Sequence, residues 1–518
     1  MASLTVQTGL NALKNKRYEA VHAECIAEIK ENISNPVPYF LLGAIAADHG
    51  NIKKALELFS KAEALDAENA FYPAFIGKTY AELRQSSDAK LAADRAVNCE
   101  IRDAFVADII GVIYSRCGAH ARAVPMFERA VELDPTPANY YYNLGASAQF
   151  LGDFSKADKA YQNAIARDPH HYRAWASKVS LTQQTESQNY LSDLKTLFTD
   201  LQGHQDATHQ IGHAIAKTLE DIGRHEDSFD WLYKAKAAKR AEFPYDRVAG
   251  RETFAAAAAT TDIPPARNPN GGAPIFVVGL PRTDTTLVDR ILSSHSKVQS
   301  AGELSILSNL VKDMSQTTSK YVLDAETLHG ASSIDLDVLG RDYMRLAEER
   351  LERPGQFVDK MPFNFFYAGL ISKALPNAKI IALRRGAMDS CLSNYRQLLS
   401  VQESFYNYTF DLEDTAFFYS QFDGLMTHWR THLPKQNFIE IRYEEIVYDQ
   451  ENQTRRLLDF CGLNFEEPCL RFHENISPVS TASSVQVRQP LYSGSIGRWK
   501  KYANKLDGLR NALGDLAD

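Results

Sequence analysis

Gly43, Gly77, Gly111 and Gly145 stand 34 residues apart, as do Ala55, Ala89, Ala123 and Ala157, and again Ala62, Ala96, Ala130 and Ala164. Small residues in three registers locked to one period restrict this part of the chain to a stack of like units, each burying its apolar face on the next. A period of 34 residues fits a helix–turn–helix unit. The small residues then mark where paired helices approach most closely, and Phe59, Phe127 and Tyr161 fill the gaps between them. Asp134-Pro135 and Asp168-Pro169 end second helices, because proline cannot continue one. Gly9 lies one more period before Gly43, which predicts a degenerate first unit. A late unit, out of phase, is expected over 216–235, after an insertion near 183–205. Tyr140-Tyr-Tyr142 opens a unit helix and reads as packing.

A chain of 518 residues is too long for one core. The repeats stop before Ala255–Ala259, and proline and glycine then concentrate in Ile263-Pro-Pro265 and Asn268-Pro-Asn-Gly-Gly272. The expected organisation is a solenoid over 1–245, a linker over 246–273 and a second domain over 274–518. Net charge is −8, which argues against a broad nucleic-acid surface but leaves room for a local anion pocket. Six cysteines form no CxxC pair and read as reduced thiols, so a cytoplasmic location is expected. The N-terminal residues lack a basic stretch followed by an apolar core, so no secretory signal is read there. No run of eighteen apolar residues suggests a membrane span.

In the second domain, strand-like runs at 275–278, 357–358, 379–383 and 438–441 alternate with helical patterns at 287–292, 337–351, 366–375, 416–433 and 454–460. That alternation predicts a parallel sheet with helices on both faces, and ligands bind beyond the carboxyl ends of such strands. The loop after the first run carries Arg282, Thr283, Asp284, Thr285 and Thr286 and leads into a helix. A strand, a polar loop and a helix start together present N–H groups and a positive dipole end to an anion. The second loop carries Lys360. The third carries Arg384 and Arg385, with Ser393 eight residues after Arg385, about two helical turns on. Two separated phosphate grips suit a nucleotide phosphorylated at both its 5′ and 3′ positions. The lysine-bearing loop of ATPases and GTPases is missing.

Gly279-Leu-Pro-Arg-Thr-Asp-Thr-Thr-Leu287 resembles the 5′-phosphosulfate loop of sulfotransferases that use 3′-phosphoadenosine-5′-phosphosulfate (PAPS), and Arg385 with Ser393 resembles their 3′-phosphate motif. Lys360 is similar to the lysine near the transferring sulfonate, Tyr443 to a tyrosine near adenine, and Arg488-Gln-Pro490 with Ile496-Gly-Arg-Trp499 to the late loop over the nucleotide. The resemblance runs from about Pro274 to Tyr502, and the repeats resemble tetratricopeptide repeats. It implies a tetratricopeptide solenoid joined to an α/β sulfotransferase domain. PAPS would be the sulfonate donor and adenosine-3′,5′-bisphosphate (PAP) the product, with no metal. The acceptor would be a hydroxyl or amine of a small molecule, lipid, glycan or peptide. The solenoid either carries a protein or peptide partner or braces the enzyme.

The resemblance further implies that Arg282, Lys360, Thr285 and Thr286 supply charge and donors in the transition state. Glu303, in Ala301-Gly-Glu-Leu304, resembles the base of the tyrosine-directed enzymes, although Leu304 and Ser305 stand where those enzymes have an acidic residue and an arginine nearby. His295 is the rival base, with a structural role as its alternative. The largest departure is Asp284, where the family has glycine. A carboxylate ~4 Å from a phosphate costs about 1 kcal/mol in water and more in a shielded pocket, so PAPS binding weakened by roughly tenfold to a thousandfold is expected. Such weakening favours a second possibility, a degenerate scaffold that works through its repeats.

Overall fold

The computed structural model describes residues 4–83, 85–269, 271–351, 353–399, 404–475, 477, 486–491 and 493–517. They divide into two compact units, Met1–Leu181 and Thr182–Asp518.

The first unit is a helical solenoid. Its paired helices include Pro36–Asp48 with Ile52–Leu65, Phe71–Glu82 with Ser86–Asn98, Ala104–Arg116 with His120–Leu133, and Ala138–Leu151 with Phe154–Arg167. The eight periodic alanines are all completely buried. A Cβ on Gly111 would stand 2.6 Å from the Phe127 ring, and one on Gly145 2.7 Å from the Tyr161 ring. Each glycine therefore lets an aromatic ring of the second helix lie against the backbone of the first, and the small-residue register is a packing code. In the degenerate first unit the close approach is to the next pair instead, where a Cβ on Gly9 would meet Leu41 of helix Pro36–Asp48 at 2.3 Å. Helices end at Leu133 and Arg167, each followed by an Asp C-cap and then proline. Tyr142 packs on Tyr161 and His171 with ring centroids 6.0 and 5.2 Å apart.

The second unit is built on a five-stranded parallel sheet. Its strands are β1 (Ile275–Gly279), β2 (Val298–Ser300), β3 (Gln356–Asp359), β4 (Lys379–Arg384) and β5 (Phe438–Arg442), in the order β2-β3-β1-β4-β5. The central strand β1 is buried throughout, as a sheet covered on both faces requires. One apolar layer holds Phe276, Val278 and Ile380 against Phe357, Phe365, Trp429 and their neighbours. The opposite layer holds Ile275, Val277, Ile381 and Leu383 against Val288, Ile291 and Leu457.

The segment expected to be a linker is part of this core. Arg247–Ala259 is a helix, because an alanine-rich run propagates helix readily once Asp246 caps its start. Its Phe254 is 5% exposed and packs on Phe366 and Phe418 at ring distances of 4.7 and 5.0 Å. The late repeat is also grouped with the second unit. Helix Gln205–Asp221 presents Glu220 to Arg396 and Arg498, and the buried Lys236 of helix His225–Glu242 donates to the Thr409 carbonyl at 3.1 Å.

Candidate functional site

The loop after β1 is bent by two non-glycine residues in the left-handed region, Arg282 (φ 66°) and Asp284 (φ 70°). Such geometry is costly for residues with a Cβ and concentrates where function imposes it. Asp284 is the N-cap of the helix Thr285–Ser293, but its side chain accepts no cap hydrogen bond. Thr283 is buried and turns inward to donate to the Leu280 carbonyl at 2.7 Å. Thr285 and Thr286 are nearly buried at the helix start. At the other end of the loop Gly279 has φ 151°, and a Cβ there would stand 2.8 Å from the Leu383 carbonyl oxygen of β4. Only glycine lets the two strand ends approach so closely.

The loop after β4 grips the loop after β1. Arg385, 6% exposed, donates through Nη1 to the Arg282 carbonyl at 3.0 Å, and the Asp284 carboxylate lies 3.4 Å from the same nitrogen. Its Nη2 donates to the Ser495 carbonyl at 2.6 Å. Its Nε is buried with no acceptor among the described residues. Asn394, about two and a half helical turns on, donates to the Pro281 carbonyl at 2.8 Å. Ser393 is half-buried on the same helix, Ala387–Arg396. Arg384 points elsewhere: Asp423 and Glu440 hold it as a structural ion pair.

Burial raises the Asp284 carboxyl above the ordinary carboxylate range, against the pull of Arg385 and Arg282. Tyr443 is buried, hydroxyl to hydroxyl with Ser495 at 2.5 Å, and the Arg385 guanidinium lies 5.1 Å from its ring centre. The late segment is pinned by Asp389, whose carboxylate accepts the N–H groups of Gly497 at 2.6 Å and Trp499 at 3.0 Å. Arg488 stands close enough to Arg290 to help depress its basicity, although burial is the larger cause.

The loops after β2 and β3 bring the other residues. Lys360, 1% exposed, is ion-paired with the half-exposed Glu303. The Lys360 N–H donates to the Gly302 carbonyl at 2.8 Å. Asp359 anchors the turn from beneath. Its buried carboxylate accepts from Tyr343 Oη at 2.9 Å, Met361 N at 3.1 Å, Asn364 Nδ2 at 3.2 Å and Leu304 N at 3.4 Å. Burial pushes its pKa up to about 7.

The structure thus joins Arg282, Asp284, Arg385 and Tyr443 through direct contacts, and Glu303 with Lys360, at the carboxyl ends of adjacent strands. His295 is not brought there. It follows the far end of the nine-residue helix 285–293, about 13 Å from the loop by helical rise. Its Nδ1 accepts the Lys297 N–H at 3.1 Å and its Nε2 donates to the Asn464 carbonyl at 3.0 Å. Both ring nitrogens serve the fold, which removes it as a base. The sequence also points to 302–318 and 397–411 as segments that would line an acceptor pocket; the first is described, whereas 400–403 of the second lie outside the described residues. Asp289, Asp359, Asp389, Asn394 and Ser495 were not anticipated. The clue for Asp289 was its place one turn after Thr285 on the loop's own helix.

Among the described residues, no three His, Cys, Asp or Glu side chains are grouped to hold a metal ion, and no helix is long and apolar enough to cross a membrane. All six cysteines are unpaired thiols.

Residues 274–467 match the sulfotransferase family, and 109–137 and 138–171 match tetratricopeptide repeats. An uncharacterized protein of Aquifex aeolicus is 28% identical over 404 residues, 74% of this chain and 51% of that protein. Protein-tyrosine sulfotransferase A of Caenorhabditis elegans is 22% identical over 43% of this chain and 60% of its own length. Protein-tyrosine sulfotransferase 2 of Gallus gallus is 23% identical over 43% of this chain and 62% of its own length. The chain therefore spans half to three-fifths of the length of these relatives.

Proposed function

We propose that this chain, which carries tetratricopeptide repeats followed by a sulfotransferase-family domain, transfers a sulfonate group from PAPS to a hydroxyl or amine of an acceptor. The observation that carries the reading is the reach of Arg385 across to the Arg282 carbonyl, which ties two cationic strand-end loops into one cradle and leaves a buried N–H without an acceptor among the described residues. An anion supplies what that N–H lacks.

In this reading Arg282, Thr283, Thr285 and Thr286 hold the 5′-phosphosulfate, Arg385 and Ser393 the 3′-phosphate, and Tyr443 the adenine, with Arg488 in the covering loop. The acceptor oxygen or nitrogen attacks sulfur and its proton passes to the Glu303 carboxylate. The sulfur–oxygen bond to the 5′-phosphate breaks, and PAP leaves with the bonding pair. Lys360 exchanges its partner Glu303 for the oxygens that gain negative charge, so its ammonium acts where the transition state needs it. The half-exposed Glu303 is open to an acceptor, and the buried Lys360 faces it from the interior.

The ion pair between Asp284 and Arg385 favours a second reading, a sulfotransferase fold whose nucleotide cradle is filled by its own carboxylate and whose repeats do the work. Thermal melting separates the two. PAP at millimolar concentration raises the melting temperature if the cradle accepts the nucleotide, while ATP at the same concentration does not. No rise with PAP would reject the enzyme reading.

A further inference from the structure

Asp289 lies on the buried side of the helix 285–293, at 5% exposure. Its Oδ2 accepts from Ser300 Oγ at 3.0 Å, and that same Ser300 oxygen accepts the Gly302 N–H at 3.1 Å. Gly302 has φ 71° and nothing within 4 Å of where a Cβ would stand, so left-handed backbone rather than crowding selects glycine there. Glu303 is the next residue, and the Gly302 carbonyl receives the Lys360 N–H. A continuous set of hydrogen bonds therefore runs from Asp289 through Ser300 and Gly302 to the backbone of both members of the pair.

The other carboxylate oxygen, Oδ1, is buried without a hydrogen-bond partner among the described residues. An unbonded buried carboxylate oxygen is costly, and folds retain such groups where they serve a purpose. Burial raises Asp289 to about 6. Lys360 and Arg290 are the cations that oppose this rise, and Glu303 adds to it.

We propose that Asp289 is a positioning residue for sulfonate transfer, aiming the Gly302–Glu303 turn through Ser300 and setting a second negative charge within electrostatic range of Lys360. A tyrosine-directed site places its second acidic residue in sequence after the base; here Leu304 and Ser305 follow Glu303, and Asp289 brings a carboxylate from the neighbouring helix instead. The inference rests on the sulfotransferase reading of the site.

The test uses the full chain with Asp289→Asn, Asp289→Ala and Ser300→Ala. PAP affinity is measured by calorimetry, and turnover by PAP release from PAPS with water as acceptor, across pH 5 to 9. Misaimed catalytic groups cost about a hundredfold in rate. Asp289→Asn and Asp289→Ala should lower kcat by about that factor, and Ser300→Ala by less. PAP affinity should stay within about threefold, and the acidic limb of the pH profile should move in Asp289→Asn. Turnover at the wild-type rate, or a loss matched by weaker PAP binding or a lower melting temperature, would overturn the role of Asp289 alone. Failure of the wild-type chain to bind PAP, or to release it from PAPS, would overturn the reading of the site and this role with it.

Discussion

The Asp284 carboxylate lies 3.4 Å from Nη1 of Arg385, so the residue that departs from the family's glycine is paired with the arginine assigned to the 3′-phosphate. An entering phosphate must displace that carboxylate or tolerate it. Asp284→Gly removes the competitor and suits the left-handed backbone at this position, φ 70°. The variant should bind PAP roughly tenfold to a thousandfold more tightly by calorimetry. Burial raises the Asp284 pKa, so protonation at falling pH neutralises the rival charge. Wild-type affinity for PAP should therefore gain on that of Asp284→Gly as pH drops from 8 towards 5. A constant ratio between the two chains would show that the carboxylate does not compete.

Arg384 and Arg385 are neighbours with separate duties. Arg385→Ala should abolish detectable PAP binding and also lower the melting temperature, since the Arg282 and Ser495 carbonyls lose their donor and Asp284 its paired cation. Arg384 is held by Asp423 and Glu440 at 12% side-chain exposure, so Arg384→Ala leaves the partly buried Asp423 without its cation, while Glu440 keeps Arg430. It should lower the melting temperature by several degrees and leave PAP affinity within about threefold of wild type. A calorimetric titration and a melt on each variant decide the assignment.

Asp359 accepts four donors from the turns that carry Glu303 and Lys360. Asp359→Ala strands those donors and should cost about 3 kcal/mol or more in a urea melt. Its pKa, about 7, lies above the unfolded value. The stabilising effect of holding the proton is complete below the unfolded pKa near 3.9 and is lost as pH rises through about 7. Wild type should lose stability over that interval, and Asp359→Asn should not show the slope.

Lys236 is buried without a carboxylate partner, and burial lowers its pKa to about 7. Its unfolded value is near 10.4, so the penalty is absent above that pH, grows as pH falls and is complete below about 7. Lys236→Met should raise stability at pH 6 by about 1–4 kcal/mol, less the lost bond to Thr409. It should also flatten the rise of stability between pH 7 and 10. Chemical denaturation at several pH values measures both effects.

The solenoid was readable because its contacts are made by glycine and alanine at fixed spacing, with no partner needed to decode them. The strands β1, β3, β4 and β5 were readable as apolar runs, and their ends located the Arg282, Lys360 and Arg385 loops. The strand β2 was not, since only three residues pair there and two of them are polar. Helix 247–259 was hidden by the prolines beside it, and only its tertiary partners Phe366 and Phe418 explain its place. Nothing in the helical pattern at 287–292 marked Asp289 as buried. Its burial and its bond to Ser300 are products of β2, which the sequence pattern did not disclose. The left-handed turn at Gly302 gave equally little local sign. His295 kept both alternatives open until Asn464 and Lys297 claimed its two nitrogens.

Phe254 is wedged among the rings of Phe365, Phe366 and Phe418, well ahead of the first residue of the central strand. A transplant of the sulfotransferase-family half that begins where family similarity begins, at residue 274, would leave that aromatic plug behind and open a hole under the sheet. Whatever is fused, swapped or inserted upstream must leave the alanine-rich helix and the Glu220 and Lys236 helices in place, so the seam available for recombination lies before Thr182, not at the prolines that look like one.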